Sequence, residues 1–173
     1  MIHYKTRPAT KADAATAFDL INELPNTKKA PHEVKLSLPQ FIEDGFGANP
    51  IYKLHVAEAF DTDQQQPTPK IVGIALYYIA YSTWKGKIVY LDDLIVTQTH
   101  RKTGIGNLLI NEVFKFALSI NAQQVRWHVL EWNEPAINFY KKLGVHLDPE
   151  WITCKVTETK LAEIRTKLEQ NIH

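Results

Sequence analysis

The chain has 173 residues, within the span of a single domain (residues 1–173) and long enough to bury a core without disulfide or metal staples. Hydrophobic residues make up 45% and charged residues 23%, an ordinary globular composition, and a net charge of +1 excludes a global field that would draw in nucleic acid or an anionic membrane, leaving a small molecule as the expected partner. Cys154 is the only cysteine, so no intrachain disulfide can form, and it reads as a small buried hydrophobe. No apolar run reaches the roughly 18 residues of a membrane span, and Met1 to Lys5 lacks a basic-then-apolar leader, which together predict a cytoplasmic protein.

In chain order, Thr10 is placed to cap a helix whose apolar residues Ala14, Ala17, Phe18, Ile21 and Leu24 recur on one face, with Pro25 as its stop. Pro25 to Pro39 reads as polar loop, and the segment to Phe46 as a brief helix ended by Gly45 and Gly47. Tyr52 to Ala57 alternates as a strand and Ile71 to Tyr81 forms a nearly continuous apolar one, joined by the polar run Asp61 to Lys70. Trp84-Lys85-Gly86 turns into a third strand, Ile88 to Val96; a helix over 104–120 follows, then a fourth strand, Val125 to Leu130. A strand returning across a helix implies parallel pairing, so antiparallel strands early in the chain give way to a βαβ unit, and the predicted fold is α/β (α+β) with a mixed central sheet. Asn133 is a plausible N-cap for a helix through Leu143, with Pro135 in its first turn and Gly144 at its end. A strand from Trp151 to Val156 and a helix carrying Leu161, Ile164 and Leu168 complete the prediction.

The segment Arg101-Lys102-Thr103-Gly104-Ile105-Gly106 sits directly after an apolar strand and opens an amphipathic helix whose expected buried stripe is Ile105, Leu108, Leu109, Val113, Phe116, Ala117 and Ile120. Two glycines there let backbone N–H groups approach an anion at the helix's positive end. A dinucleotide fingerprint needs glycine where Leu109 stands, and an ATPase phosphate loop needs glycine-lysine where Leu109-Ile110 stands, so both fail on spacing. A tight turn with no ligand is the plain alternative. Arg101 and Lys102 argue against it, because clustered cations at a helix N-terminus oppose the macrodipole unless an anion neutralises them.

This segment resembles the R-x-x-G-x-G signature of GNAT-superfamily N-acetyltransferases, with strand and helix in that order. Arg7-Pro8-Ala9-Thr10, Glu43-Asp44-Gly45-Phe46-Gly47, Tyr90-Leu91-Asp92-Asp93 and Glu131 to Tyr140 resemble the spermidine/spermine acetyltransferases and their thialysine-acetylating relatives, nearly collinearly from Arg7 to Gly144. The resemblance implies the GNAT fold, acetyl-CoA as donor, and a homodimer. It implies that the backbone of Leu94, Ile95 and Val96 pairs with the pantetheine arm, that Arg101, Lys102, Thr103, Gly104, Ile105, Gly106 and Asn107 hold the pyrophosphate, and that Asn133, Pro135, Ala136 and Tyr140 line the cofactor. The strand Arg126 to His128 would splay away to make the opening.

An alkyl amine has a free pKa near ~10.4 and must lose a proton before it attacks a thioester. Asp92 and Asp93 adjoin in an apolar strand, and alternation sends one to each face. A strand carboxylate can simply accept backbone hydrogen bonds; in the resembled enzymes the position of Asp92 is a glutamate that takes the amine's proton through water, which makes Asp92 the implied base, one methylene short. A departing thiolate needs an acid, and by the same resemblance Tyr140 supplies it. Helical spacing sets Ala136, Phe139 and Leu143 in a core-facing row with Tyr140 at its margin.

For the acceptor, polyamine-acetylating enzymes carry carboxylates after the first helix, whereas this chain has Thr27, Lys28 and Lys29. Reversing one charge at ~6 Å and an effective dielectric of ~20 changes the interaction by about twice ~2.8 kcal/mol before salt screening, enough to alter substrate choice. Thr27, Lys28, Asp92 and Glu150 are the expected substrate contacts, with Glu33, Glu43 and Asp44 as further acidic candidates. A lysine-like amino acid or short diamine is expected ahead of spermine. Two other functions remain open at this level: a protein lysine or N-terminal acetyltransferase, and a non-catalytic acyl-CoA-binding module.

Overall fold

The computed structural model describes residues 1–28, 35–63 and 68–170. The chain divides into two compact units, Met1–His128 and Val129–His173.

The first unit is built on a five-stranded sheet in the order β1-β2-β3-β4-β5, with β1 Ile2–Pro8, β2 Lys53–Asp61, β3 Lys70–Ser82, β4 Gly86–Val96 and β5 Val125–Arg126. The first four strands pair antiparallel, and β5 pairs parallel to β4 through Val89↔Val125 and Tyr90↔Arg126. The expected mixed sheet therefore forms, with the parallel pair across a helix. β1, unread from its composition, runs the full length of β2 from Ile2↔Asp61 to Pro8↔His55; its mixed polar residues carry weak strand preference, and the ladder with β2 decides it.

Helices cover both faces. On one, α1 (Ala14–Lys28) and α2 (Leu38–Phe46) bury Ala14, Ala17, Leu20 and Phe41 against Leu54, Val56, Ile74, Leu76 and Ile95. The period of two turns Gly73 and Tyr77 to the other face, where α3 (Ile105–Ser119) lies. A Cβ on Gly73 would stand 2.8 Å from the Ile95 carbonyl oxygen and 3.1 Å from Leu109 Cδ1, so glycine is what lets α3 settle onto β3. α3 buries Ile105, Leu109, Ile110, Val113 and Ala117; Leu108, expected in that stripe, is exposed, and Ile110 takes its place.

The junction of β1, the short helical turn Lys11–Asp13 that leads into α1, and β2 is tied by charge. The Arg7 guanidinium donates to both Asp13 carboxylate oxygens at 2.7 and 3.0 Å and to Glu58 Oε1 at 2.9 and 2.7 Å, with Asp13 and Glu58 both buried. The Thr10 N–H and hydroxyl add two more donors to Asp13 Oδ2. Thr10 thus stands at the head of the first helical turn as expected, anchoring Asp13 there. The Arg7 and Thr10 bonds hold the Asp13 carboxyl well below the usual carboxylate range, against the opposing effect of burial.

Three sequence expectations are corrected here. α1 runs through Pro25 to Lys28, since a proline removes one amide donor from the ladder without forbidding the turns beyond it. The fourth strand, expected over Val125 to Leu130, is only Val125–Arg126, because β4 pairs with it at two positions and then departs. Trp151 to Val156 forms no strand among the described residues; apolar alternation makes a strand only where a neighbouring edge supplies hydrogen bonds.

The second unit holds α4 (Glu134–Lys142) and α5 (Glu158–Gln170). α4 starts as expected: Asn133 Oδ1 accepts from the Ala136 N–H at 3.3 Å, Pro135 lies in the first turn, and Gly144 beyond it has φ +73°. Cys154 is exposed rather than buried, since the strand that would have packed it does not form.

Candidate active site

A cleft of about 450 Å³ opens between α1, α2 and the sheet, lined by Ile21, Leu36, Phe41, Asp44, Ile51, Tyr52, Leu76, Tyr78, Asp92 and Asp93. Both aspartates of β4 line it, which corrects the expectation of one per face. The register slips between Leu76↔Asp93 and Tyr77↔Leu91, so Asp92 is the extra residue of a β-bulge and alternation breaks there. The bulge sets two adjacent carboxylates on one wall.

Asp44 reaches the same cleft from α2, its Oδ1 accepting from Gln40 Nε2 at 2.7 Å. α2 begins at Ser37, whose Oγ accepts from the Gln40 N–H at 3.3 Å. Tyr52 braces the helix from below: its hydroxyl donates to the Phe41 carbonyl and its ring stacks on Phe41 at 5.1 Å. Burial, then the nearby Asp44 charge, raises the Tyr52 phenol above its ordinary value, so it stays a neutral donor. Among the described residues the lining carries no Lys or Arg. Such a cleft suits a compact ammonium ion with an aliphatic body.

The Asp92–Asp93 pair leads directly to an open strand edge. Among the described residues, β4 pairs with β5 only at Val89 and Tyr90, so no strand pairs with Leu94, Ile95 or Val96 on that edge, which suits an extended ligand added in the manner of a strand, with the Val96 carbonyl already engaged by Arg101. The following turn carries the left-handed residues Lys102 (φ +63°) and Gly104 (φ +92°). Gly104 caps α3 with no side-chain acceptor, and the first turn holds no acidic residue, so the N–H groups at that end are available to an anion. A Cβ at Gly104 would meet nothing within 4 Å; the space beside the turn is open. Arg101 folds back, Nε donating to the Val96 carbonyl at 3.1 Å, and ties the turn to the strand. A diphosphate at the turn and an amide-bearing arm along β4 fit this donor set.

Of the predicted site residues, the structure brings together Asp92, the edge Leu94 to Val96 and the turn Arg101 to Asn107, all in the first unit. Tyr140, Asn133, Pro135, Ala136 and Glu150 belong to the second. There Tyr140 is the buried residue of α4, 7% exposed, while Ala136, Phe139 and Leu143 are only half-buried. The expected order of that row is thereby reversed: the buried face of α4 centres on Tyr140 and not on Phe139. Glu150 is exposed, its N–H donating to Asp148 Oδ1 at 3.0 Å. Lys29, Glu33 and the side chains of Thr27 and Lys28 lie outside the described residues. Sequence reading did not assign Asp93, Tyr52 or Tyr78 to the acceptor side. The signal available for Asp93 was its adjacency to Asp92, masked by the assumption of unbroken alternation.

Residues 22–145 match the acetyltransferase (GNAT) family. The chain is 39% identical over 144 residues to the thialysine N-epsilon-acetyltransferase of Mus musculus, covering 83% of this chain and 85% of that one, and 40% identical over 138 residues to that of Bos taurus, covering 80% and 81%. It is 33% identical to the human spermidine/spermine N(1)-acetyltransferase-like protein 1, over 83% of this chain but 21% of that protein. Among solved structures, a V. cholerae integron cassette protein superposes with a TM-score of 0.72 at 22% identity, covering 94% and 97% of the two chains. The aminoglycoside N-acetyltransferase AAC(6')-Iy, solved in complex with CoA, gives 0.68 at 14% identity, covering 90% and 96%. These two likenesses bear on the fold.

Proposed function

Since this chain belongs to the GNAT family of acetyltransferases and is an N-acetyltransferase, we propose that it moves the acetyl group of acetyl-CoA to a primary amine of a small diamine, polyamine or lysine-like amino acid. The observation that carries this reading is the carboxylate-walled cleft of Asp44, Asp92 and Asp93, next to the open edge of β4. Acetyl-CoA, when bound, supplies the acetyl group as a thioester.

The chain's own residues supply binding and proton transfers. Asp92, with Asp93 beside it, attracts the ammonium end of the acceptor and takes its proton at a carboxylate oxygen through a water, which frees the nitrogen lone pair. The Leu94 N–H serves as donor to the carbonyl oxygen under attack. Leu94 to Val96 and the turn Arg101 to Asn107 hold the arm and pyrophosphate, with Asn133, Pro135 and Ala136 as further contacts. The Tyr140 hydroxyl gives its proton to the departing sulfur; that assignment rests on the resemblance of the α4 segment. Thr27, Lys28 and Glu150 are the additional acceptor contacts in this reading. The whole chain, 1–173, acts as one acetyltransferase domain, as a homodimer in the cytoplasm.

Lining by three carboxylates favours an acceptor with two cationic ends over one that carries its own carboxylate, whereas the 39–40% identical relatives are named for thialysine. The test is mass spectrometry of products after offering acetyl-CoA with an equimolar pool of a short diamine, spermine, thialysine and a lysine peptide. Acetylated small amine is expected. Acetylation of the peptide alone, or CoA binding without any product, would overturn the proposal.

A further inference from the structure

The turn that receives the anion in this reading is braced from within by a residue that no motif singles out. Lys102 and Gly104 both hold positive φ, a backbone that a free loop samples rarely for a lysine. Around it, His100 gathers the loop from three sides. Its Nδ1 meets the hydroxyls of Thr97 and Thr99 at 3.0 Å each, its N–H donates to the Thr97 carbonyl at 3.0 Å, and its carbonyl accepts from the Thr103 hydroxyl at 2.6 Å. The ring stands edge-on to Tyr4 of β1 at 6.0 Å. The imidazole thus links the end of β4 to the sheet, while the backbone carbonyl of the same residue takes in the turn through Thr103.

We propose that His100 is a positioning residue for the donor site: its Nδ1 fixes the Thr97 and Thr99 hydroxyls at the foot of the turn, where its own carbonyl receives Thr103, and so holds the turn in the conformation that aims the α3 N-terminal amides at an anion. The inference rests on the acetyl-CoA reading above. Fixing the loop before the ligand arrives removes an ordering cost from binding, so the effect belongs to donor affinity and not to the chemical step. The atom that matters is Nδ1, since it is the side-chain link to the threonine hydroxyls. Asparagine sets a polar amide atom at nearly the place of a histidine Nδ1 and can bond a threonine hydroxyl as acceptor or donor; leucine has similar bulk and no polar atom.

The experiment compares wild type, His100→Asn and His100→Leu by steady-state kinetics, with CoA titrated calorimetrically into each and thermal unfolding recorded alongside. His100→Leu should raise the KM for acetyl-CoA and the Kd for CoA about 10-fold, with kcat and the amine KM within 2-fold of wild type. His100→Asn should stay within about 3-fold on every parameter. Equal losses in the two variants would assign the effect to ring packing on Tyr4 and overturn the proposal, as would an unchanged CoA affinity in His100→Leu. If His100→Leu does not fold, Thr97→Val, which removes one hydroxyl and keeps the ring, must by itself weaken CoA severalfold, and an unchanged Kd there overturns the proposal. Wild-type protein that binds no CoA would instead sink the acetyl-CoA reading itself.

Discussion

Asp92 stands on the bulge of β4 with Asp93 beside it, and the role of base proposed for it makes a quantitative demand. Asp92→Asn keeps the shape of the side chain and removes the proton acceptor, so kcat/KM for the amine should fall on the order of 10²–10⁴-fold near neutral pH, with the KM for acetyl-CoA little changed. The deficit should narrow as pH rises toward ~10, where more of the amine arrives already neutral. A rate profile from pH 7 to 10 checks both parts; a constant deficit across that range would mean Asp92 serves binding alone. Tyr140→Phe should lower turnover far more than it weakens acetyl-CoA, because only the hydroxyl proton is lost. Tyr140 is buried on α4, so circular dichroism of the variant must first match wild type.

At the scale of elements, the width of the cleft depends on how closely α2 approaches Tyr52. A Cβ on Gly45 would fall 2.2 Å from Tyr52 Cζ, and the ring cannot step aside without leaving its stack on Phe41 and its bond to the Phe41 carbonyl. Gly45→Ala should therefore tilt α2 away from the sheet and cost roughly 1–3 kcal/mol of stability as an overpacked site. Because α2 carries Asp44, the amine KM should rise several-fold while the acetyl-CoA KM, set by β4 and α3, stays within about 2-fold. Thermal unfolding together with both KM values tests this. The resemblance around Glu43 to Gly47 is intelligible on these grounds: the spacing serves a helix-to-ring contact.

For the molecule as a whole, the part-buried network of Arg7, Asp13 and Glu58 ties β1 and the turn that leads into α1 to β2, far along the chain. Asp13 is held below the usual carboxylate range in the fold, its Arg7 bond being the largest cause. A carboxyl depressed in this way adds stability that is present in full above its unfolded value of ~3.9 and is lost as pH falls through the folded value. His55, on the α3 face with its Nδ1 3.1 Å from the Tyr77 hydroxyl, is lowered by burial, so its contribution starts to fall away below ~6.5. Acid should accordingly destabilise the protein in two stages. Asp13→Asn should cost roughly 1–3 kcal/mol at pH 7, because Arg7 loses a charged partner, and should shrink only the lower stage, to which Glu112, also held low by its bond from Lys115, contributes the remainder. Melting temperatures from pH 8 to 2 for both proteins decide it; parallel curves below pH 4 would refute the assignment.

Much of this protein follows from sequence alone, because the signals concerned are local. The period of α1's apolar face, the Asn133 cap and the glycine turn at 104 and 106 each depend on residues within a few positions of one another, and the family signature is written across them. The parallel return of β5 followed from connection length. What tertiary structure decided depends on partners distant in the chain. β1 is a strand because β2 accepts it. Trp151 to Val156 is not, for want of a ladder among the described residues. The bulge that sends Asp92 and Asp93 to one cleft arises from the registration of β3 against β4, which no local pattern encodes, and Asp44 joins them only because Tyr52 and Phe41 seat α2 above the sheet.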